Sequence, residues 1–193
     1  MFEQKNTSKL SLEEKIQLLM DERDIKNVMD RYSRASSRAD LELFRSCYHD
    51  DAIMYNGPNG DGKVSDFLEK FNDIAGGLAE VGQYYQANPL IEIDGDVAHT
   101  EVQCFSPKIL FPHSYNGNRV MRFGGARYLR RFERRNGEWR ISASWFLYEW
   151  CFYQDVPPQN VSIGSYAAPD AQVLKPYSSQ RNKDDLSYRF STL

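Results

Sequence analysis

The sequence predicts an α+β domain in which three N-terminal helices pack on a strongly curved, mostly antiparallel sheet. Three observations lead there. The first third carries apolar residues at helical spacing behind helix-start signals, and from Gly82 onward the chain turns to alternation broken by turn residues. Two long runs then meet at Asn136-Gly137, the dipeptide that best suits a two-residue hairpin because both positions tolerate positive φ.

Ser11 with Glu14 forms a capping box that opens the first helix ahead of Ile16, Leu19 and Met20. Its second half keeps Ile25, Val28, Met29, Tyr32 and Ala35 on one stripe, so that face belongs to the core. Asp40 caps a short second helix with Leu41, Phe44, Cys47 and Tyr48, and a strand from Ala52 to Tyr55 follows. The turn-rich stretch 56–62 leads to a third helix capped by Ser65 and carrying Phe67, Leu68, Phe71 and Ile74. A strand then runs from Gly82 to Ile93 and a second from Val97 to Phe111, with Pro89 and Pro107 expected at edges or bulges. The Asn136-Gly137 hairpin closes the sheet, and Tyr128, Phe132, Trp139, Ile141 and Trp145 supply its large residues.

The chain divides into a flexible start at 1–10, one domain at 11–153, and an extension at 154–193 that wraps the domain or a neighbouring subunit. A net charge of −3 over 193 residues gives no field for nucleic acid. The run Arg127, Arg130, Arg131, Arg134 and Arg135 reads as a solvated outer face. Cys47, Cys104 and Cys151 lack metal spacing and cannot all pair, which suits a reducing, cytoplasmic setting. No stretch is apolar and long enough for a membrane span, and no metal or nucleotide motif is present, so neither cofactor nor metal is expected.

The pattern Asp24-Ile25, Arg31-Tyr32-Ser33-Arg34-Ala35, Asp40-Leu41, Phe44 and Tyr48-His49-Asp50-Asp51-Ala52 resembles the first two helices of the SnoaL-like family of the NTF2-like superfamily. Gly95-Asp96-Val97-Ala98 resembles its central turn and 127–141 its last hairpin, while Arg181 with Asp184-Asp185-Leu186-Ser187-Tyr188 is similar to an ending of many members. The resemblance implies a cone-shaped barrel around a mostly apolar cavity. It also implies the activities found there: cofactor-free dehydratases and other lyases, isomerases and cyclases, beside non-catalytic small subunits of ring-hydroxylating dioxygenases. Homodimers or homotrimers are implied too.

In dehydratase-like members a tyrosine, an aspartate and a histidine share the proton transfers, and the matching positions here are Tyr32, Ser37 and Tyr84. A further acidic position of the family falls on Ser106. Asp40 reads as a helix cap rather than a replacement for the aspartate. The candidates for catalysis are therefore Tyr32, Tyr84, His113 and Lys108, because a phenol can donate to a developing oxyanion and a desolvated lysine can act as a base. Lys108 shares strand parity with Ser106 and could point inward, although an ordinary lysine would sit in solvent. Substrate contacts are expected from Tyr48, Tyr55, Asn88, Ser106, Trp145 and Tyr148, around a hydroxylated aromatic or polycyclic molecule.

The function these residues suggest is elimination of water or a small fragment, deformylation, or isomerisation. The alternative is a binding protein or structural oxygenase subunit whose pocket keeps its shape without the acid–base pair.

Overall fold

The computed structural model describes residues 7–57, 60–156 and 179–188. The first six residues and most of the C-terminal extension thus lie outside the described residues. Helix α1 spans Leu12–Arg38 and opens on the reciprocal capping box, in which the Ser11 hydroxyl accepts from the Glu14 amide at 3.2 Å and the Glu14 carboxylate from the Ser11 amide at 2.7 Å. It ends at Ala39 in the left-handed region, φ 52°. Ile25, Val28, Met29, Tyr32 and Ala35 are buried, while Leu12, Ile16, Leu19 and Met20 in the first turns stay exposed. Asp21 is buried and accepts from Trp139 Nε1 at 2.9 Å and from Arg134 at 2.6 Å, pinning the helix to the far hairpin.

Helix α2, Leu41–Arg45, is capped by Asp40, whose carboxylate accepts the Leu43 amide at 3.2 Å. Strand β1, Tyr48–Tyr55, follows, then the short β2, Gly62–Lys63, and helix α3, Val64–Glu69. The cap expected from Ser65 is not used: α3 starts two residues earlier, behind Lys63, and makes no side-chain cap bond. A π-turn at Asn72–Gly76 continues it.

Strands β3, Ala79–Gly82, and β4, Tyr85–Asp94, replace the single strand expected there. Likewise Ser106-Pro107 divides the next run into β5, Val97–Phe105, and β6, Lys108–Leu110, since proline cannot donate to a ladder. At Asn88-Pro89 the β4–β5 register slips and Asn88 adopts φ 53°, so the second proline marks a bulge as its chemistry requires. Strands β7, Val120–Arg135, and β8, Glu138–Asp155, pair along nearly their whole length around Asn136 (φ 52°) and Gly137 (φ 79°).

The sheet order is β2-β1-β8-β7-β5-β4, with β6 also on β7 and β3 on β6. It is mixed, because β1 runs parallel to β8, and it is curved without closing. Helices α1 to α3 cover the concave face over a core that includes Ile25, Phe44, Phe71, Phe132 and Ile141.

Two features of the hairpin depart from the sequence reading. The even residues of β7 all face inward, so Arg130 leaves the supposed solvated run and lies in the core at 1% exposure. Strand β8 carries two bulges, at Ser142 and Glu149, and each shifts its inward parity by one: Ile141, then Ser144, Phe146 and Tyr148, then Cys151 and Tyr153 pair with inward positions of β7.

Candidate active site

The concave face holds a cavity of about 410 Å3, a size that suits a one- or two-ring molecule. Phe44, Phe67, Phe71 and Phe146 give it an apolar wall, and Tyr32, Tyr84, Tyr115, Tyr128, Tyr148 and Tyr153 bring phenols into it. Ser106, Lys108, Arg122 and Arg181 add to the polar lining, with Ser36, Asn56 and Ser114.

Tyr32 enters from α1 and donates to the Tyr128 hydroxyl on β7 at 2.9 Å. Arg130 lies directly beneath both rings, its guanidinium carbon 4.3 Å from the Tyr32 centroid and 4.1 Å from that of Tyr128. It donates to Gln86 at 2.5 Å, while its Nε and Nη2 have no partner among the described residues. Burial raises the pKa of both phenols, and the Arg130 charge works against that rise. The pair is therefore neutral at physiological pH and built to donate rather than to accept a proton.

Lys108 is held from the other side. Its stem passes over Gly82, where an added Cβ would come within 3.1 Å of Cγ, and its Nζ sits 4.8 Å from the Tyr84 centroid. Burial, with help from the Arg122 and Arg181 charges, pulls its pKa down to about 8. A lysine near 8 exchanges protons close to neutrality, whereas an ordinary one does not. Tyr84 lies between Lys108 and Tyr32, 6.4 Å from Tyr32 centroid to centroid, and burial drives its pKa well up.

The tail closes this end of the cavity. Arg181 donates to the backbone carbonyls of Ser37 at 3.1 Å, Ser36 at 3.3 Å, Ala75 at 2.5 Å and Ala79 at 2.6 Å, tying α1, the π-turn and β3 together. Lys183 and Tyr188 both donate to Asp40, at 2.7 and 2.6 Å. That carboxylate is thus occupied by a helix cap and two tail groups, and it does not line the cavity.

Of the residues singled out in the sequence, the structure brings Tyr32, Tyr84, Ser106, Lys108 and Tyr148 to the cavity. Tyr48 is wholly buried behind Tyr32, ring centroids 6.3 Å apart. Tyr55 and Trp145 stack on each other at 5.0 Å on the outer face, because the Ser142 bulge has turned position 145 outward. Asn88 is exposed at its bulge and donates to Gln103 at 3.5 Å. His113 is exposed too, stacked on Phe111, with Nε2 2.9 Å from the Gly77 carbonyl; it clips two loops together. Ser37 and Tyr84 do meet, but through the Tyr84 amide donating to the Ser37 hydroxyl at 3.0 Å, a backbone link that moves no proton.

Arg122, Tyr128, Tyr115, Tyr153 and Arg181 are cavity residues that the sequence reading did not select. Even parity on β7 carries the signal for Arg122 and Tyr128; the tail residue offers none. Among the described residues, no three His, Cys, Asp or Glu side chains gather to hold a metal ion, and no helix is long and apolar enough to cross a membrane.

A family model described as SnoaL-like domain matches residues 17–144. No curated protein matches the chain significantly. Among solved structures, a hexachlorocyclohexane dehydrochlorinase, LinA type 2, superposes with a TM-score of 0.66 at 16% identity, covering 75% of this chain and 98% of its own. A proposed scytalone dehydratase from Novosphingobium aromaticivorans gives 0.62 at 15%, covering 72% and 91%. A proposed aromatic ring hydroxylase from the same organism gives 0.59 at 15%, covering 72% and 94%. At these identities the likeness is one of fold.

Proposed function

Because this chain belongs to the SnoaL-like domain family, we propose that its cavity performs a cofactor-independent elimination or isomerisation on a hydroxylated aromatic or polycyclic molecule. The observation that carries this reading is the placement of a lysine of pKa about 8 across Tyr84 from a neutral phenol pair, all within one cavity. Lys108 takes a proton from the substrate, a phenolic hydroxyl or an acidic carbon. Tyr128, which accepts from Tyr32 and lies above Arg130, donates to the oxygen where charge develops or to the departing group. A para-phenol that loses its proton drives out a benzylic leaving group, so the enzyme needs only to place a base and an acid at opposite ends of the molecule. The dehydratase and dehydrochlorinase among the fold neighbours agree with this class.

The Ser37–Tyr84 link favours a second reading, a binding protein or oxygenase subunit, since it fills with structure the two positions at which relatives of this family keep their proton shuttle. Incubation of the purified protein alone with hydroxylated diaryl, steroid and polyketide compounds, followed by product masses, separates the two. Loss of water or formaldehyde from one compound supports the lyase, and no mass change across the panel supports the binding role.

The same proposal includes a self-associating chain in a reducing compartment. Tyr85, Phe105, Phe123, Trp150 and Phe152 form a run of neighbouring rings on the outer face, much of it exposed, and such patches suit a second copy. The three thiols are free.

A further inference from the structure

The cavity is unusual in its charges as well as its phenols. Lys108, Arg122 and Arg181 line it, and no Asp or Glu does so among the described residues. Four carboxylates outside the lining are engaged with other cations: Glu80 with Arg119 at 2.7 Å, Glu149 with Arg127 at 2.6 Å, Asp185 with Arg38 at 3.5 Å and Asp40 with Lys183 at 2.7 Å. Behind the phenol pair Arg130 adds a fourth positive charge, without an ion-pair partner among the described residues.

These cations are not equivalent. Arg181 spends its donors on four backbone carbonyls, so it contributes charge but no free fork. Lys108 lies against the Tyr84 ring face. Arg122 is half-buried, lies over Gly124, where an added Cβ would come within 2.8 Å of its guanidinium, and has the Tyr153 phenol for company. A guanidinium in this setting offers paired N–H donors matched to a carboxylate.

Buried cations without counter-charges are unfavourable, and a site that keeps several of them is stabilised by an anion that enters. We infer that the substrate of this cavity is an organic anion, an aromatic carboxylic acid whose carboxylate seats on the Arg122 guanidinium while its rings lie among Tyr32, Tyr84 and Phe146. This inference rests on the reading of the cavity as a substrate site and narrows the substrate to acids. Arg122, the cross-strand neighbour of Lys108, is then a specificity-determining residue that touches the substrate.

The test is isothermal titration of the purified full chain with 4′-hydroxybiphenyl-4-carboxylate and with its neutral carboxamide, at neutral pH and low salt. The acid is expected to bind at least about tenfold more tightly than the amide, the size of a charge-assisted hydrogen bond. In Arg122→Gln the two should bind within about threefold of each other, and Arg122→Lys should recover part of the preference. Equal binding of acid and amide to the natural chain, binding of neither, or an undiminished preference in a folded Arg122→Gln would overturn the inference. The catalytic reading fails separately. Selective binding of the acid without turnover of any hydroxylated acid leaves the anion site standing and removes the lyase; turnover of neutral compounds without acid preference does the reverse.

Discussion

Lys108 and Arg130 show how single residues set the chemistry, because both keep a positive charge where the fold would rather have none. The unfolded chain holds the Lys108 proton up to about 10.5, the ordinary value, while the folded chain releases it at about 8. Between those values the unfolded state binds more protons, so this group makes stability rise with pH from about 8 toward 10. Denaturant titrations at pH 7.5 and 9.5 should show that rise in the natural chain and lose it in Lys108→Met; an identical slope in the variant would mean that Lys108 is solvated. Arg130 has a different signature. Its charge has no ion-pair partner among the described residues, and burying it offsets much of what its ring contacts and the Gln86 bond contribute. Arg130→Met should therefore stay within about 1 kcal/mol of the natural stability while turnover falls about tenfold or more, as Tyr32 and Tyr128 lose the charge that polarises them. A large drop in melting temperature would assign Arg130 to the core alone.

At the scale of elements, the ends of α1 and the long hairpin were legible because their signals are local. Ser11 and Glu14 sit three residues apart, Asp40 stands just before an apolar run, and Asn136-Gly137 admits one kind of turn. What stayed hidden depends on partners far along the chain. The bulges at Ser142 and Glu149 reverse the face of β8 twice, which sends Trp145 outward against Tyr55 although it shares its parity with Ile141. No local residue announces a bulge of that kind, so alternation alone misassigns the strand beyond it. Arg130 was misjudged for the opposite reason: its inward parity was visible, but arginines in a run usually face water. The segment containing Arg181 is tertiary through and through, its guanidinium closing four carbonyls on three separate elements. Arg181→Met leaves those carbonyls to water or unpaired, and a loss of about 2 to 3 kcal/mol is expected, with faster amide exchange around 75–79. Exchange confined to the tail itself would show that α1 and β3 do not depend on it.

Over the whole molecule, a shell of helices and a curved, open sheet enclose a positive, phenol-lined cavity, while the outside of the same sheet carries a stripe of rings. The inner face is read as the chemical one and the outer as the associating one. Phe105→Lys with Trp150→Lys should then lower the mass in solution to that of one chain, measured by light scattering, without abolishing ligand binding; an unchanged mass would place any association elsewhere. The most direct measurement for the inner face is the pH profile of kcat/KM, on a hydroxylated aromatic acid that the natural chain converts without added cofactor, compared with that of Lys108→Met. A rise with pH through about 8 to a plateau in the natural chain, with turnover abolished in the variant, is the result expected of a base that must be neutral to act. Turnover that persists in Lys108→Met with the same profile would contradict the account.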